Sequence, residues 1–501
     1  MITNTSNVEL ISANKNIPYF LISEESNDGS FVQTELSEIL KYYLNYKRGV
    51  DFTTEGSNGD YVPSELRYNI ASNLVNKEAR FMFANPPDIV VKPKVSGLKM
   101  SKEVANSINI INGMLNEILD KNNFNELLIK ASKDCFIGKR VAALVNVNKE
   151  DGVTINFLNS TQFLFESKSG DSDLLTKFVG FITINDSSTL SKRKLFKKKY
   201  WVDEESNVHL HESLYDGAGK LIEVVTDDKV IEEIDRIPAV IIINDGLSNE
   251  SNGRSDLEGL SYFEESYNRL SNSDIDSNRK SMNAIRYVVD MDSQSTKNLS
   301  TAPGALWDLG SDQNLENEHP AIGMLEPSMK YSESLKSTLE RIKTAAHDKV
   351  DVPNINLETM SGVITSGKGL KAIYWGLDTR CKEKFLTWGP RLQTLIEIII
   401  ESCFAFPSCV ERYIEIKPTP VPYRVEVTGN NPIPEDEQEE KNMDLAEVES
   451  KTMSKKSYMK KWRGLSDEEV EEELKQIALE RELVEDSFMP SEGTLKAPYE
   501  E

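Results

Sequence analysis

One stretch, residues 255–291, is written like a helix that is apolar at both ends and polar in its middle. Leu260, Phe263, Tyr267 and Leu270 lie on one side, and Ile285, Val288 and Val289 on the other. The centre, residues 271–283 (SNSDIDSNRKSMN), is almost wholly polar. Read as one helix of about 35 residues, it spans about 50 Å. Its polar centre has no place in the core of one subunit, so the helix either bridges two domains or packs against copies of itself. A second helical pattern begins near Ser332, with Glu333 in the first turn. Leu335, Leu339, Ile342, Ala346 and Val350 form its narrow apolar stripe, and it stops before Pro353. Between the two lies a small turn-rich segment, 293–331, holding Thr301-Ala302-Pro303-Gly304 and Ala305-Leu306-Trp307. The order reads as a stalk, a knob at its tip, and a stalk back.

The flanks are mixed. A helix is expected from about Ser64, where Leu66, Ile70, Leu74, Val75, Phe81 and Met82 fit a 3.6-residue period, ending at Asn85-Pro86-Pro87. Another pattern runs over about 101–133 through Ile108, Ile111, Met114, Leu115, Ile118, Leu127 and Leu128. Short β-rich runs follow at 141–147, 153–158, 178–184, 198–202 and 240–243, separated by turns such as Asp151-Gly152 and Asp216-Gly217. Helices followed by a meandering sheet make an α+β arrangement. Residues 352–366 read as a loop. A third long helix starts near Gly367, bends at Gly389-Pro390 and continues through Leu392 to Phe404. A strand is expected over 423–427. The last segment alternates acidic, basic and acidic blocks, with a capping box at Ser466-Asp467-Glu468-Glu469.

Composition removes several classes of function. Hydrophobic residues at 39% make the chain too apolar for disorder, yet no apolar run reaches the roughly 18 residues of a membrane span. No basic-then-apolar leader opens the sequence, and no membrane partner is expected. The net charge is −24, from 58 basic and 82 acidic residues. That opposes a protein that coats nucleic acid, but not one that lets nucleic acid slide past. Cys135, Cys381, Cys403 and Cys409 form no CxxC pair, so neither a zinc site nor a disulfide framework is signalled, and a reduced intracellular setting is expected.

Three motifs invite chemistry. Gly362 to Gly369 (GVITSGKG) nearly fits a P-loop, but Gly369 stands where a hydroxyl must meet magnesium, and no buried strand precedes it. His209 and His211 share one face of a probable strand, without a visible third ligand. The basic run 192–199 could touch nucleic acid; lysines that protect a sheet edge are the favoured reading. No catalytic residue, metal site or cofactor is nominated.

The stalk, knob, stalk and loop order resembles the portal protein of tailed double-stranded DNA bacteriophages. Leu74 to Pro87 (LVNKEARFMFANPP) looks like the family's early helix and turn, with Ala84 where many members have glycine. Ile237-Pro238-Ala239-Val240-Ile241, Asn244, and Ser255-Asp256-Leu257-Glu258 resemble the strand leading into the first stem helix, and Tyr267-Asn268-Arg269-Leu270 a string inside it. Val352-Pro353, Ser361-Gly362, Ser366-Gly367-Lys368-Gly369-Leu370 and Gly376-Leu377 resemble the channel-loop region, although members usually carry a small or apolar residue at Lys368. Pro432-Ile433-Pro434 and residues 448–454 resemble the passage to the crown.

The resemblance implies an α+β portal-type subunit with an N-terminal arm (1–60), a wing of helices and β-meander (61–254), a first stem helix (255–292) and a clip (293–331). A second stem helix (332–351), a channel loop (352–366), a long kinked wing helix with a strand (367–433) and an acidic crown (434–501) complete it. It implies twelve-fold rings at one capsid vertex of the virion, assembled in the host cytoplasm. The implied partners are double-stranded DNA passing without sequence preference, the terminase large subunit, the major capsid protein and scaffold, and head-completion or adaptor proteins. The ATPase is the terminase, so the chain is expected not to be an enzyme. Asn354, Asn356 and Thr359 would give weak contacts to DNA in the channel. Lys368 and Lys371 are the candidates for phosphate contact, against the alternative of solvated lysines at a helix start. Asp274 and Asp276 against Arg279 and Lys280 would pair across subunits, and Trp307 and Asp308 would lie on the docking clip. The rivals are a P-loop NTPase of a packaging motor and a monomeric head-tail adaptor.

Overall fold

Strand β2 (Arg140–Asn148) organises the larger part of the molecule, and its sequence shows why. Val141, Ala143 and Val145 belong to one buried cluster, while Ala142 and Leu144 belong to another. Successive side chains of a strand point to opposite faces, so a strand apolar at every position is covered on both. In the computed structural model β2 is the central strand of an antiparallel sheet, between β3 (Gly152–Asn159) and β9 (Ala239–Ile243). The structure describes residues 25, 29–53, 62–94, 102–168, 171–185, 193–247, 252–282, 285–289, 321–325, 329–355, 367–411, 413, 419–430, 432, 437–464 and 467–487. Two units are distinguished, Met1–Asn354 with Tyr374–Pro432, and Ile355–Ile373 with Ile433–Glu501.

In the larger unit the first face of the sheet is covered by helices. Helix α1 (Gly29–Arg48) lies in the N-terminal sixty residues and has no counterpart in the sequence reading. Helix α2 (Ile70–Phe83) starts six residues later than expected, because 62–69 is extended instead of helical. The pattern over 101–133 divides into α3 (Lys102–Lys121) and α4 (Phe124–Gly138). Asn123 adopts a left-handed φ of 49°, and the Asn122 side chain donates to Ile118 O and Val153 O while accepting from Ile155 N. That amide ends α3 and ties the break to β3, a tertiary use that periodicity does not show. All five residues expected on the apolar stripe of α3 are buried. β1 (Asp88–Pro93) pairs antiparallel with β12 (Tyr423–Thr428).

The stretch 255–291 is not one helix. It forms α5 (Leu260–Met282) and then strand β10 (Ile285–Val289), which pairs with β11 (Ala321–Leu325). The β-branched run after Asn283 favours a strand where the sequence reading continued the helix. Helix α6 (Ser332–Lys349) begins where expected. Helix α8 (Trp375–Ala405) is continuous through Pro390. Proline has no N–H for the Leu386 carbonyl, and Leu386 lies exposed to solvent. All four cysteines are free and buried.

The smaller unit explains the charge blocks. It contains α7 (Gly367–Ile373), α10 (Glu437–Glu449), α11 (Lys455–Arg463) and α12 (Asp467–Ser487), with the short α9 (Pro407–Val410) belonging to the larger unit. The basic α11 lies against acidic neighbours: Lys461 and Trp462 Nε1 both reach Asp444 at 2.8 Å, Lys456 reaches Glu471 at 3.0 Å and Arg463 reaches Glu473 at 2.8 Å. Ser454 caps α11 by accepting from Ser457 N, and Gly464 ends it at φ 65°. Ser466 of the expected capping box lies outside the described residues.

The second face of the three-stranded sheet is covered by a five-stranded antiparallel meander, β4 (Phe163–Lys168), β5 (Asp171–Asn185), β6 (Lys194–Val202), β7 (Val208–Asp216) and β8 (Leu221–Ile231). Phe163, Phe178 and Tyr200 meet β2, while Val179, Phe181 and Leu195 on the reverse meet Leu36 and Leu40 of α1. The basic run therefore lies on the middle strand, not on an edge, which corrects the edge-protection reading. Its lysines are neutralised internally: Lys197 and Lys199 reach Glu25 at 2.6 and 3.0 Å, and Lys198, on the other face, reaches Glu212 at 2.9 Å. Burial alone raises the Glu25 carboxyl, but the hydrogen bonds from Lys197 and Lys199 outweigh it and bring the pKa down from 4.5 to about 2. Glu25 thus stabilises the fold fully above pH 4.5, and that contribution is lost as pH falls from there toward about 2. Glu25→Gln should melt below the parent at pH 7, and the gap in Tm should close as the pH is lowered from about 5 to about 3.

Candidate functional site: the paired long helices and the polar stripe that anchors them

Helices α5 and α6 run antiparallel. A Cβ built on Gly259, just ahead of α5, lies 3.6 Å from Lys349 at the end of α6. At the other ends Ile285 of β10 pairs with Leu325 of β11. Tyr287 sits opposite Gly323 in this ladder, and its ring fills the space a larger residue would need. The 23 residues of α5 extend about 35 Å. A two-stranded sheet thus follows α5 and precedes α6, and most of the expected knob, 293–331, lies outside the described residues.

The polar centre of α5 is used inside the chain. Glu264, Asn268, Asn272 and Asp276 recur every four residues and form one stripe. They meet the backbone of the extended segment 62–69 and of the first turn of α2. Ser64 N donates to Asp276 at 3.0 Å, Leu66 N to Asn272 at 2.8 Å, Tyr68 N to Asn268 at 3.1 Å and Ala71 N to Glu264 at 2.9 Å. Asn272 Nδ2 also donates to Leu66 O at 2.8 Å. Four helical residues rise about 6.0 Å and two extended residues about 6.6 Å, so Asp276, Asn272 and Asn268 meet every second backbone N–H, and Glu264 meets the first turn of α2. Glu264 accepts in addition from Val50 N at 3.0 Å. Gly49, at φ 79°, ends α1 there, and a Cβ on it would lie 3.2 Å from the Glu264 carboxylate. Tyr68 and Tyr267 complete the contact edge to face at 5.1 Å. Residues 62–69 cannot be helical while their N–H groups serve this stripe.

Beneath α5 lies a buried charged node. Asp256 in the turn before α5, Glu78 on α2, and Arg380 and Lys384 on α8 balance two negative against two positive charges. Arg380 reaches Glu78 at 2.8 Å and Asp256 at 2.9 Å. Lys384 reaches Glu78 at 2.7 Å, also touches Asp256, and lies 3.6 Å above the Phe136 ring. Burial would lower the Lys384 pKa, but the charges of Asp256 and Glu78 outweigh it and hold it above the usual lysine value. Farther along, buried His347 donates from Nδ1 to Val352 O at 2.9 Å, fixing the start of the segment after α6.

The residues singled out from sequence are placed as follows. Asp276 and Arg279 are brought together 3.8 Å apart, and Arg279 also donates to Val62 O at 3.4 Å, so both serve the 62–69 segment. Asp274 is half-buried on α5. Asn354 is exposed at the end of the segment after α6, in the larger unit, and Lys371 is exposed on α7, in the smaller. Asn356, Thr359, Trp307 and Asp308, with the side chains of Lys280 and Lys368, lie outside the described residues, as does most of the near-P-loop. His209 is held between Asp203 at 3.0 Å and Asp228 at 2.6 Å, and His211 lies 3.3 Å from Asp227. Among the described residues no cluster of His, Cys, Asp or Glu could hold a metal ion, and no helix is long and apolar enough to cross a membrane. The functional use of Glu264, Asn268 and Asn272 was missed from sequence, although their four-residue spacing was a readable signal.

The sequence model of the family described as phage portal protein, SPP1 Gp6-like, matches residues 32–485. The chain belongs to this phage portal protein family. The match runs from within α1 through the three- and five-stranded sheets and the α5–α6 pair to near the end of α12, so the portal subunit is covered over nearly all its described elements. No curated protein matches the chain.

Two substitutions test the anchoring of the portal subunit's long helix. Asn272→Ala strands the Leu66 amide and should cost about 1–3 kcal/mol in urea unfolding, with faster proteolysis near residue 62. Lys384→Met leaves two buried carboxylates facing one arginine and should cost more, about 3–5 kcal/mol in the same assay.

Proposed function

We propose that the chain forms a ring of about twelve copies at one capsid vertex, with DNA passing through its axial channel during packaging and ejection. The observation that carries this reading is the antiparallel α5–α6 pair closed by the β10–β11 sheet, in a chain of the portal family. The charge of −24 suits a conduit that must not grip phosphate. In this reading α5 and α6 are the stem and residues 293–331 the clip, where Trp307 and Asp308 offer a docking surface to the terminase large subunit and later to head-completion or adaptor proteins. The wing faces the major capsid protein and scaffold. Residues 352–366 edge the channel, with Asn354, Asn356 and Thr359 giving sequence-blind contacts and Lys368 and Lys371 reaching phosphate. Asp276 and Arg279 contribute chiefly through the 62–69 segment, while Asp274 and Lys280 remain for contacts between subunits. Exposed ion pairs of that kind contribute only about 0–1 kcal/mol each, so the ring depends on packed surface as well.

Native mass and ATPase activity of one purified sample test this. A ring near twelve subunits without hydrolysis is expected. A stable monomer at micromolar concentration overturns the ring and favours an adaptor. Hydrolysis that disappears in Lys368→Ala identifies a motor subunit instead.

A further inference from the structure

The outer strand of the meander, β8, is paired on one side only, to β7. Its ladder is interrupted. Leu210 pairs with Lys229 and Glu212 with Thr226, so His211 alone faces both Asp227 and Asp228. Two residues opposite one make a β-bulge, which breaks the hydrogen-bond ladder locally and re-aims side chains. Asp228 takes a left-handed φ of 39° there. The two re-aimed carboxylates meet the two histidines that share one face of β7. Asp228 lies 2.6 Å from His209 Nδ1, and Asp227 lies 3.3 Å from His211 Nδ1.

The second nitrogen of His209 is engaged as well. Its Nε2 lies 3.0 Å from Asp203. Asp203 opens the β6–β7 turn and accepts from Glu205 N at 2.9 Å, from Asn207 N at 2.8 Å and from Asn207 Nδ2 at 3.0 Å, so its carboxylate is fixed in place by the turn itself. The hydrogen bond from His209, and after it those from Asn207, bring the Asp203 pKa from 3.8 down to about 2. A carboxylate only accepts, and a neutral imidazole has one N–H and one lone pair. With a carboxylate oxygen at each ring nitrogen, a neutral ring would turn its lone pair on one of them. The imidazolium, with two N–H groups, satisfies both.

The surroundings fit a positive ring. Trp201, directly across from His209 in the β6–β7 ladder, stacks on it at 5.1 Å. Lys199, 5.6 Å from the Trp201 ring, is itself held by Glu25 at 3.0 Å. Glu204 and Glu205 are exposed in the β6–β7 turn and add negative charge. Lys229 lies on the other face of the sheet, where it lines the cavity between the two sheets with Glu212.

We infer that His209 stands as an imidazolium clamp between the β6–β7 turn and the β8 bulge, holding the outer end of β8 where the bulge forfeits ladder bonds, and that the clamp opens on loss of one proton. Hydrogen bonds to Asp203 and then Asp228 hold the His209 pKa above the ordinary 6.5. A raised histidine pKa stabilises the clamp fully below about pH 6.5, and that contribution is lost as pH rises through the higher folded value. Opening frees the end of an edge strand whose Val224, Val225 and Val230 are already exposed. The clamp is a property of the single chain and stands apart from ring formation.

Trp201 fluorescence tests it, because an imidazolium stacked on an indole quenches emission more than a neutral imidazole does. Emission of the intact chain is followed from about pH 6 to about pH 9. A rise with its midpoint above 6.5 is expected. It should be absent in His209→Gln and in Trp201→Phe, and its midpoint should move down in Asp228→Asn. The absence of a step, a midpoint at or below 6.5, or a step that persists in His209→Gln overturns the imidazolium. Hydrogen exchange of the parent chain needs no variant. Protection of residues 226–231, corrected for the chemical exchange rate, should fall about threefold or more across the same step. Unchanged protection overturns the clamp.

Discussion

Asp256 and Glu78 share the Lys384 ammonium in a space closed to solvent, and three separate parts of the chain meet there. Asp256 fixes the turn before α5, Glu78 belongs to α2, and Lys384 with Arg380 belongs to α8. Isolated charges in such a place are strongly unfavourable, so each requires the others in position. The node therefore has one satisfactory geometry. It sets where the long helix α5 begins and how α8 crosses α2. Phe136 beneath Lys384 brings α4, and through it β2, into the same arrangement.

The polar stripe on α5 extends that order outward. A long helix with a polar centre has a recurring difficulty, since its side chains need partners that a hydrophobic core does not offer. Here the partners are the backbone N–H groups of an extended segment 200 or more residues earlier in the chain. The match of a four-residue helical rise to a two-residue extended step makes the contact repeat. The bonds are directional, so they fix the segment's register as well as its position. An extended segment held in this way can present apolar side chains outward without collapsing onto its own core, which is what an assembling subunit needs.

Electrostatics follow the same logic. The large negative charge does not spread over every surface. Glu25 gathers Lys177, Lys197 and Lys199, Asp444 takes Lys461 of α11, and the node closes on itself.

Much of the architecture was legible without coordinates. The 3.6 period over Ile108 to Ile118, the apolar run Val141 to Val145 and the strand–turn alternation after residue 140 are local patterns, and local patterns carry their own physics of burial. The portal family was legible from the order of short strings for the same reason. Tertiary structure alone decided the rest. Residues 62–69 have a helical apolar period, yet their amides are claimed by Asn268, Asn272 and Asp276. The basic run 192–199 reads as an edge, yet its strand β6 is paired with β5 on one side and β7 on the other. The 255–291 stretch ends its helix at Met282 because Ile285 to Val289 find a partner strand at 321–325. In each case the deciding hydrogen bond or charge comes from far along the chain, and pattern within a window of residues cannot contain it.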